Sequence, residues 1–346
     1  MTPHLRTLRR TAARGFSLVE LMVGVAIALV VTLVIFNVLS VSESRRRTTS
    51  SINDNGQSGG YATYLIDRAI RSAGSGFVSA WDEAAGCLID AQRGGAQMLP
   101  RATPLPAPFA AVTEDVRLAP VVIAQGQSAA GSDVLMVMSG TAGFGEVGAQ
   151  ALGPTDPLDG PGVLLRNTIG FQGGDLVLLA RSSRPGCLLS QVVAGKDAVA
   201  DGADQRLLLN GTYFTATGSV VNLADMASDT ASVASLGNVA AANAPQFRLF
   251  GVGDNQTLFS YDLLRIDGSD AALPIAEGVM QLRAVYGIDT DNDRQLDAWV
   301  APTGATWGAA ALLNGSAVSQ GNLRNILAIR VAMVLRSSLV EREEVA

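Results

Sequence analysis

The sequence predicts an α+β fold, a long N-terminal membrane-spanning helix packed against a mostly antiparallel β-sheet head. Three features of the 346-residue chain predict it. Residues 21–39 form an uncharged apolar run, long enough to cross a bilayer. Residues 65–73 repeat apolar side chains at helical spacing and stop at Gly74-Ser75-Gly76. Beyond Phe77 the apolar runs are short and separated by glycine, proline, asparagine and aspartate, the punctuation of strands and turns.

The first element is a basic head, with Arg6, Arg9, Arg10 and Arg14 and no acid before residue 15. Short basic flanks stay cytoplasmic, so the bulk of the chain is expected to be exported. Residues 21–39 rise about 28 Å as a helix, which matches a hydrocarbon core of about 30 Å. A single span over residues 21–41 is expected, because no second run of that length follows. Glu20 is the anomaly, since an ionised carboxylate inside a bilayer costs on the order of 3 kcal/mol. A cut between Gly15 and Phe16 would give it a partner: the new α-amino group lies one helical turn away.

Gly15-Phe16-Ser17-Leu18-Val19-Glu20 resembles the class III leader junction of type IV pilins and type II secretion pseudopilins. That resemblance implies a pilin-like fold and a prepilin peptidase that cleaves after Gly15 and methylates Phe16. It also implies that Glu20 pairs with the N-terminal amine of a neighbouring subunit during assembly. Two other readings fit less well. A secretory signal is cut after its apolar run at a small-x-small site, and Leu39-Ser40-Val41-Ser42 is a poor version of one. A plain anchor gives no reason for Glu20.

After the span come Glu43, Arg45, Arg46 and Arg47, then an amphipathic helix in which Leu65, Ile66, Ala69, Ile70 and Ala73 share a stripe. Gly56, Gly59 and Gly60 are expected to weaken or bend it, at about 1 kcal/mol each relative to alanine. Asn55-Gly56, Leu65 and Arg68-Ala69-Ile70-Arg71-Ser72-Ala73-Gly74 resemble the stem of PilW-type minor pilins. The doubled Gly59-Gly60 departs from that pattern.

The head is expected to open irregularly, with a proline-rich connector at 100–108 before the first good strands. Strands are expected at 116–124, 133–139, 163–166, 175–180 and 188–193. Residues 196–245, mostly Ala, Ser, Asp, Asn and Gly, read as an elaborated surface insertion with short paired pieces at 207–209 and 213–214. Strands 247–252 and 257–266 flank a hairpin turn at Gly253-Asp254-Asn255-Gln256, and 279–288 and 326–336 are long strands expected in one sheet. The tract Glu277-Gly278-Val279, Leu282-Arg283 and Tyr286-Gly287-Ile288-Asp289 onward again resembles the PilW family, as does Ile329-Arg330-Val331 to Ser337.

Composition excludes several function classes. The formal charge is −6, and loss of the leader's four arginines takes it to −10, a poor surface for phosphate backbones. No direct nucleic-acid binding is expected. His4 is the single histidine and lies in the leader, so the mature chain has no imidazole for catalysis or metal ligation. An enzyme is not expected. Gly143-Phe144-Gly145-Glu146-Val147-Gly148 has dinucleotide-loop spacing, but residues 149–154 are too short and too glycine- and proline-bounded to supply the helix such a loop needs.

Cys87 and Cys187 both fall in the exported head, where an even count suggests a bridge, two separate buried thiols being the alternative. Asp289, Asp291, Asp293 and Asp297 alternate in a turn between strands. With the Gln295 backbone carbonyl they are expected to hold Ca²⁺, since a hard cation takes oxygen ligands. The competing reading is a solvated acidic turn. Arg294 stands where such loops usually have glycine, and Leu296 is expected to anchor the loop to the core.

The sequence therefore divides into a leader (1–15), a pilin-type helix (16–74) and a β-rich head (75–346). The PilW resemblance implies a non-enzymatic minor pilin, made in the inner membrane with its N-terminus cytoplasmic and its head periplasmic, then carried into a surface pilus. Its implied partners are the prepilin peptidase, other minor pilins and the major pilin, in a tip or priming complex. Alternatives are a J-type minor pseudopilin of type II secretion and a membrane-tethered periplasmic binding protein or adhesin.

Overall fold

A computed structural model describes residues 15, 17–141, 148–193, 199–201, 204–241 and 243–337. Two units emerge from the contacts, one comprising the helix as far as Asp54, the other Asn55–Arg336. Helix α1 is Leu18–Arg71, a single element of 54 residues. Ser17 begins it: its hydroxyl accepts the Glu20 N–H at 3.2 Å, the N-capping bond of a Ser-x-x-Glu start. Leu18–Glu43 is long and apolar enough to cross a membrane. Its polar side chains close on their own helix, Thr32 donating to the Ala28 carbonyl at 2.7 Å and Ser40 to Asn37 at 2.9 Å.

The glycines do not interrupt the helix: α1 runs through Gly56, Gly59 and Gly60 as one element. The reason is tertiary. Ala62, Ile66 and Ala69 are buried against the head, and that burial outweighs a propensity loss of about 1 kcal/mol per glycine. After Arg71 the chain turns at Gly74 and Gly76, both at φ +84°. A Cβ at Gly76 would stand 2.9 Å from the Gly140 Cα, so this close crossing of two backbones requires glycine.

The head's strands in chain order are β1 (Leu88–Arg93), β2 (Ala96–Leu99), β3 (Val121–Ala124), β4 (Val134–Ser139), β5 (Ala149–Pro154), β6 (Gly162–Leu165), β7 (Asp175–Arg181), β8 (Gly186–Gln191), β9 (Val199–Asp201), β10 (Asp204–Leu208), β11 (Ala231–Asn238), β12 (Gln246–Val252), β13 (Thr257–Asp262), β14 (Leu273–Glu277), β15 (Val279–Ile288), β16 (Ala298–Val300) and β17 (Ile326–Leu335). They form a 9-stranded sheet in the order β2-β1-β8-β7-β11-β5-β6-β10-β9, a 5-stranded sheet β14-β13-β12-β4-β3 and a 3-stranded sheet β16-β15-β17. Pairings are antiparallel apart from β1 with β8. The expected hairpin at 253–256 joins β12 to β13, and β15 pairs with β17 as the alternation predicts.

Two regions differ from the sequence reading. The opening of the head is ordered, with Phe77 and Trp81 buried and β1 and β2 in the largest sheet. Within residues 196–245, read from the sequence as a surface insertion, β10 and β9 end the largest sheet, while β11 lies centrally in the same sheet between β7 and β5. Its sequence, ASVASLGN, is small and polar enough to read as loop. Yet both of its faces are covered: Ala234 and Leu236 join the main core, whereas Ala231 and Val233 join a second core with Val163, Leu165 and Leu207. Small side chains suit a strand pressed from both sides. The pieces at 194–198, 202–203 and 242 lie outside the described residues. The first predicted strand is also shorter than expected, since only Val121–Ala124 of 116–124 pairs as β3.

Asp90 is fully buried in β1 and accepts the backbone N–H of Val220 and Val221 and the Gln97 side-chain amide at 2.9 Å. These bonds fasten the 215–222 loop to the sheet. Nearby, Cys87 and Cys187 are joined in a disulfide with a Cα–Cα distance of 5.6 Å. The bridge flanks the parallel register of β1 and β8, where Ile89 faces Cys187.

Candidate functional site

Two parts of the chain carry the residues that the sequence points to. The first is the start of α1. Gly15 and Glu20 are exposed, and Phe16, like the leader arginines, lies outside the described residues. Glu20 falls in the first turn, where the helix dipole favours a carboxylate. Ser17 is a residue that motif reasoning misses, although Ser17-x-x-Glu20 is a capping signature visible in the sequence. The apolar face that follows stays exposed from Leu18 to Val41.

The second part is the loop from β15 to β16. Asp289, only 4% exposed, turns its carboxylate into the loop and accepts the N–H groups of Asp291 at 3.2 Å, Asn292 at 2.7 Å and Arg294 at 2.8 Å. Asp297 accepts the N–H and the hydroxyl of Thr290, each at 2.7 Å, and these bonds hold its carboxyl below the usual carboxylate range. The carboxylates of Asp289, Asp291 and Asp297 offer oxygens within 4.8 Å of one another.

Asp293 and Gln295 depart from the predicted ligand set. The Asp293 carboxylate turns to Gln295, accepting its N–H and its side-chain amide, each at 2.7 Å, and is not one of the three clustered groups. An Asp two residues before a free N–H closes a local turn more readily than it reaches across the loop. Asn292 and Arg294 adopt φ of +64° and +66°, so Arg294 does occupy a position that favours glycine. Leu296 does not anchor the loop in the core. It is 44% exposed and lies over Gly287, where a Cβ would stand 2.6 Å from its Cδ1.

Of the glycine-rich stretch, residues 143–147 lie outside the described residues. The next element is strand β5 rather than a helix, so the dinucleotide reading has no structural context.

Comparison with known families places both parts. Residues 10–36 match the prokaryotic N-terminal methylation motif, and residues 250–345 match the family described as type IV pilus-assembly protein W. The second match takes in β13 to β17 and the acidic loop. No curated protein and no solved structure matches the chain significantly. Pilin-family matches point to a structural, non-enzymatic protein that meets other pilins and a prepilin peptidase. At its leader and again over its closing strands, the chain is similar to the prokaryotic N-terminal methylation motif and to the type IV pilus-assembly protein W family.

Proposed function

We propose that the chain is a PilW-type minor pilin that acts in the tip or priming complex that starts pilus assembly. The observation that carries the reading is the pairing of a methylation-motif leader with an exposed apolar helix, Leu18–Glu43, on a head whose last strands match the PilW family. The peptidase cuts after Gly15 and methylates Phe16. Glu20 then meets the N-terminal amine of a neighbouring subunit inside the bilayer, which offsets the cost of burying each charge alone. The basic leader keeps the N-terminus cytoplasmic, and the head crosses to the periplasm before joining the pilus at the surface. Deletion in the native host is expected to abolish surface pili and leave protein secretion intact. The opposite outcome would make the chain a type II secretion pseudopilin.

The acidic loop is proposed to take Ca²⁺ through Asp289, Asp291 and Asp297, with water completing the shell. Oxygen-only donors support a hard cation over a soft one. Asp293 would have to release Gln295 to contribute.

A further inference from the structure

Sheet edges among the described residues are mostly blunted. β2 and β3 have four residues each, and β9 and β16 have three. The Ile123 N–H of β3 is taken by the Tyr286 hydroxyl at 2.6 Å. β14 carries Pro274 and Glu277, a missing donor and a charge. These are the devices by which sheets avoid pairing with other chains.

β17 is less protected, with only a single charge and one irregularity of register near Leu327. It runs ten residues, Ile-Leu-Ala-Ile-Arg-Val-Ala-Met-Val-Leu, with one charge and no proline. Its ladder goes to β15 alone, and it closes its sheet. Among the described residues no hydrogen bond reaches its outer edge, so alternate N–H and C=O groups there have only water to meet. Leu327 and Val334 are 43% and 53% exposed. Register with β15 sets Arg330 opposite Val285 and Ala332 opposite Arg283, an outward face that is apolar and cationic. The Arg330 guanidinium stacks 4.0 Å over Trp299, whereas Arg283 is already paired with Asp133.

The geometry points to the outer edge of β17 as a docking edge for an extended segment of another polypeptide, apolar on alternate residues and bearing a carboxylate that meets Arg330. Backbone pairing would supply affinity and the side chains selectivity, as in strand addition generally. A second copy of this chain fits worse. Two β17 strands pair with their outward faces together only in even registers. Of the two most overlapped, the one with Ile326 opposite Val334 sets Arg330 directly against its own counterpart and the one with Leu327 opposite Leu335 sets it against Ala332, so in neither does Arg330 meet a carboxylate. The inference rests on the head's geometry and is independent of the tip-complex role.

The full-length chain in detergent micelles tests it, using short synthetic peptides of alternating valine and threonine with one central glutamate, one central lysine, or two prolines. Anisotropy of labelled peptide reads binding, and infrared absorption of isotope-labelled peptide carbonyls reads strand formation. The glutamate peptide is expected to bind as a strand, about two- to fivefold more tightly than the lysine peptide, the range an exposed ion pair supplies. Arg330→Gln should erase that preference and Arg330→Glu invert it, while the proline peptide does not bind. Absence of binding by the folded chain, equal binding of the glutamate and proline peptides, or an unchanged preference in folded Arg330→Glu would overturn the proposal. So would a dimer of the chain alone that the peptides dissociate, which would make a second copy the occupant.

Discussion

Gly59 of α1 lies against Leu335 of β17 so closely that a Cβ at position 59 would stand 3.0 Å from the leucine Cδ2. The neighbouring Gly60 and Gly56 meet nothing within 4 Å. The three glycines of the stem therefore have different reasons to be there. One lets helix and strand approach, and the other two only soften the helix.

Gly60→Ala is expected to stabilise the chain by up to about 1 kcal/mol, because alanine restores helix propensity at an open position. Gly59→Ala has the same propensity gain but must displace the Leu335 side chain by a few tenths of an ångström, so it should fall short of Gly60→Ala. Thermal unfolding of the two full-length variants in the same detergent compares them. An equal gain at both positions would mean that the contact with Leu335 is loose.

Asp90→Ala removes the acceptor shared by Val220, Val221 and Gln97. Buried donors left without a partner cost about 1–3 kcal/mol. Denaturant unfolding should show a loss of that size or somewhat more, and hydrogen exchange at the Val220 and Val221 amides should quicken. Gly218 lies against the same carboxylate, with a Cβ there standing 2.3 Å from it, so the loop has little room to find another acceptor.

Burial raises the Asp262 carboxyl above its ordinary value of 3.8, against the pull of the Ile266 and Leu264 N–H groups and of Arg248. A carboxyl raised in the folded state is protonated there more than in the unfolded chain. Its contribution to stability is thus full below pH 3.8 and is lost as pH rises through the folded value. The difference in Tm between Asp262→Asn and the parent should move in the variant's favour across that window and level off above it. A difference that does not change with pH would refute the assignment.

Calcium at the β15–β16 loop is expected to raise the thermal midpoint of the full chain. At millimolar Ca²⁺ and an affinity typical of extracellular sites the gain is about 1 kcal/mol, roughly 2–4 °C for a head of this size. Chelator should reverse it and Asp291→Ala should abolish it, whereas Asp293→Ala should retain most of it because that carboxylate is engaged with Gln295. A midpoint indifferent to calcium would leave the loop a solvated turn.

The apolar N-terminal helix, the leader motif and the β15–β17 pair were legible because each is written in a local pattern. Residues 21–39 have the length of a span, and 279–288 alternate in the period of a strand with one covered face. The acidic loop was legible as a spacing, but spacing alone did not say which carboxylates converge. Asp289 and Asp297, eight positions apart, meet because the backbone between them turns through left-handed residues at Asn292 and Arg294. Asp293 is drawn away by a donor two residues on.

By itself the sequence determined that the chain has one apolar helix, a strand-built head and a leader of the prepilin class, since hydrophobic period and motif depend on neighbours in the chain. Only the tertiary structure decided that ASVASLGN is a central strand, that the glycines of the stem do not break α1 and that β17 ends its sheet with an open edge. Those outcomes depend on what lies across from a residue. Burial on both faces of β11, the leucine facing Gly59 and the lack of a strand beyond β17 among the described residues are contacts between segments far apart in sequence, and no local pattern encodes them.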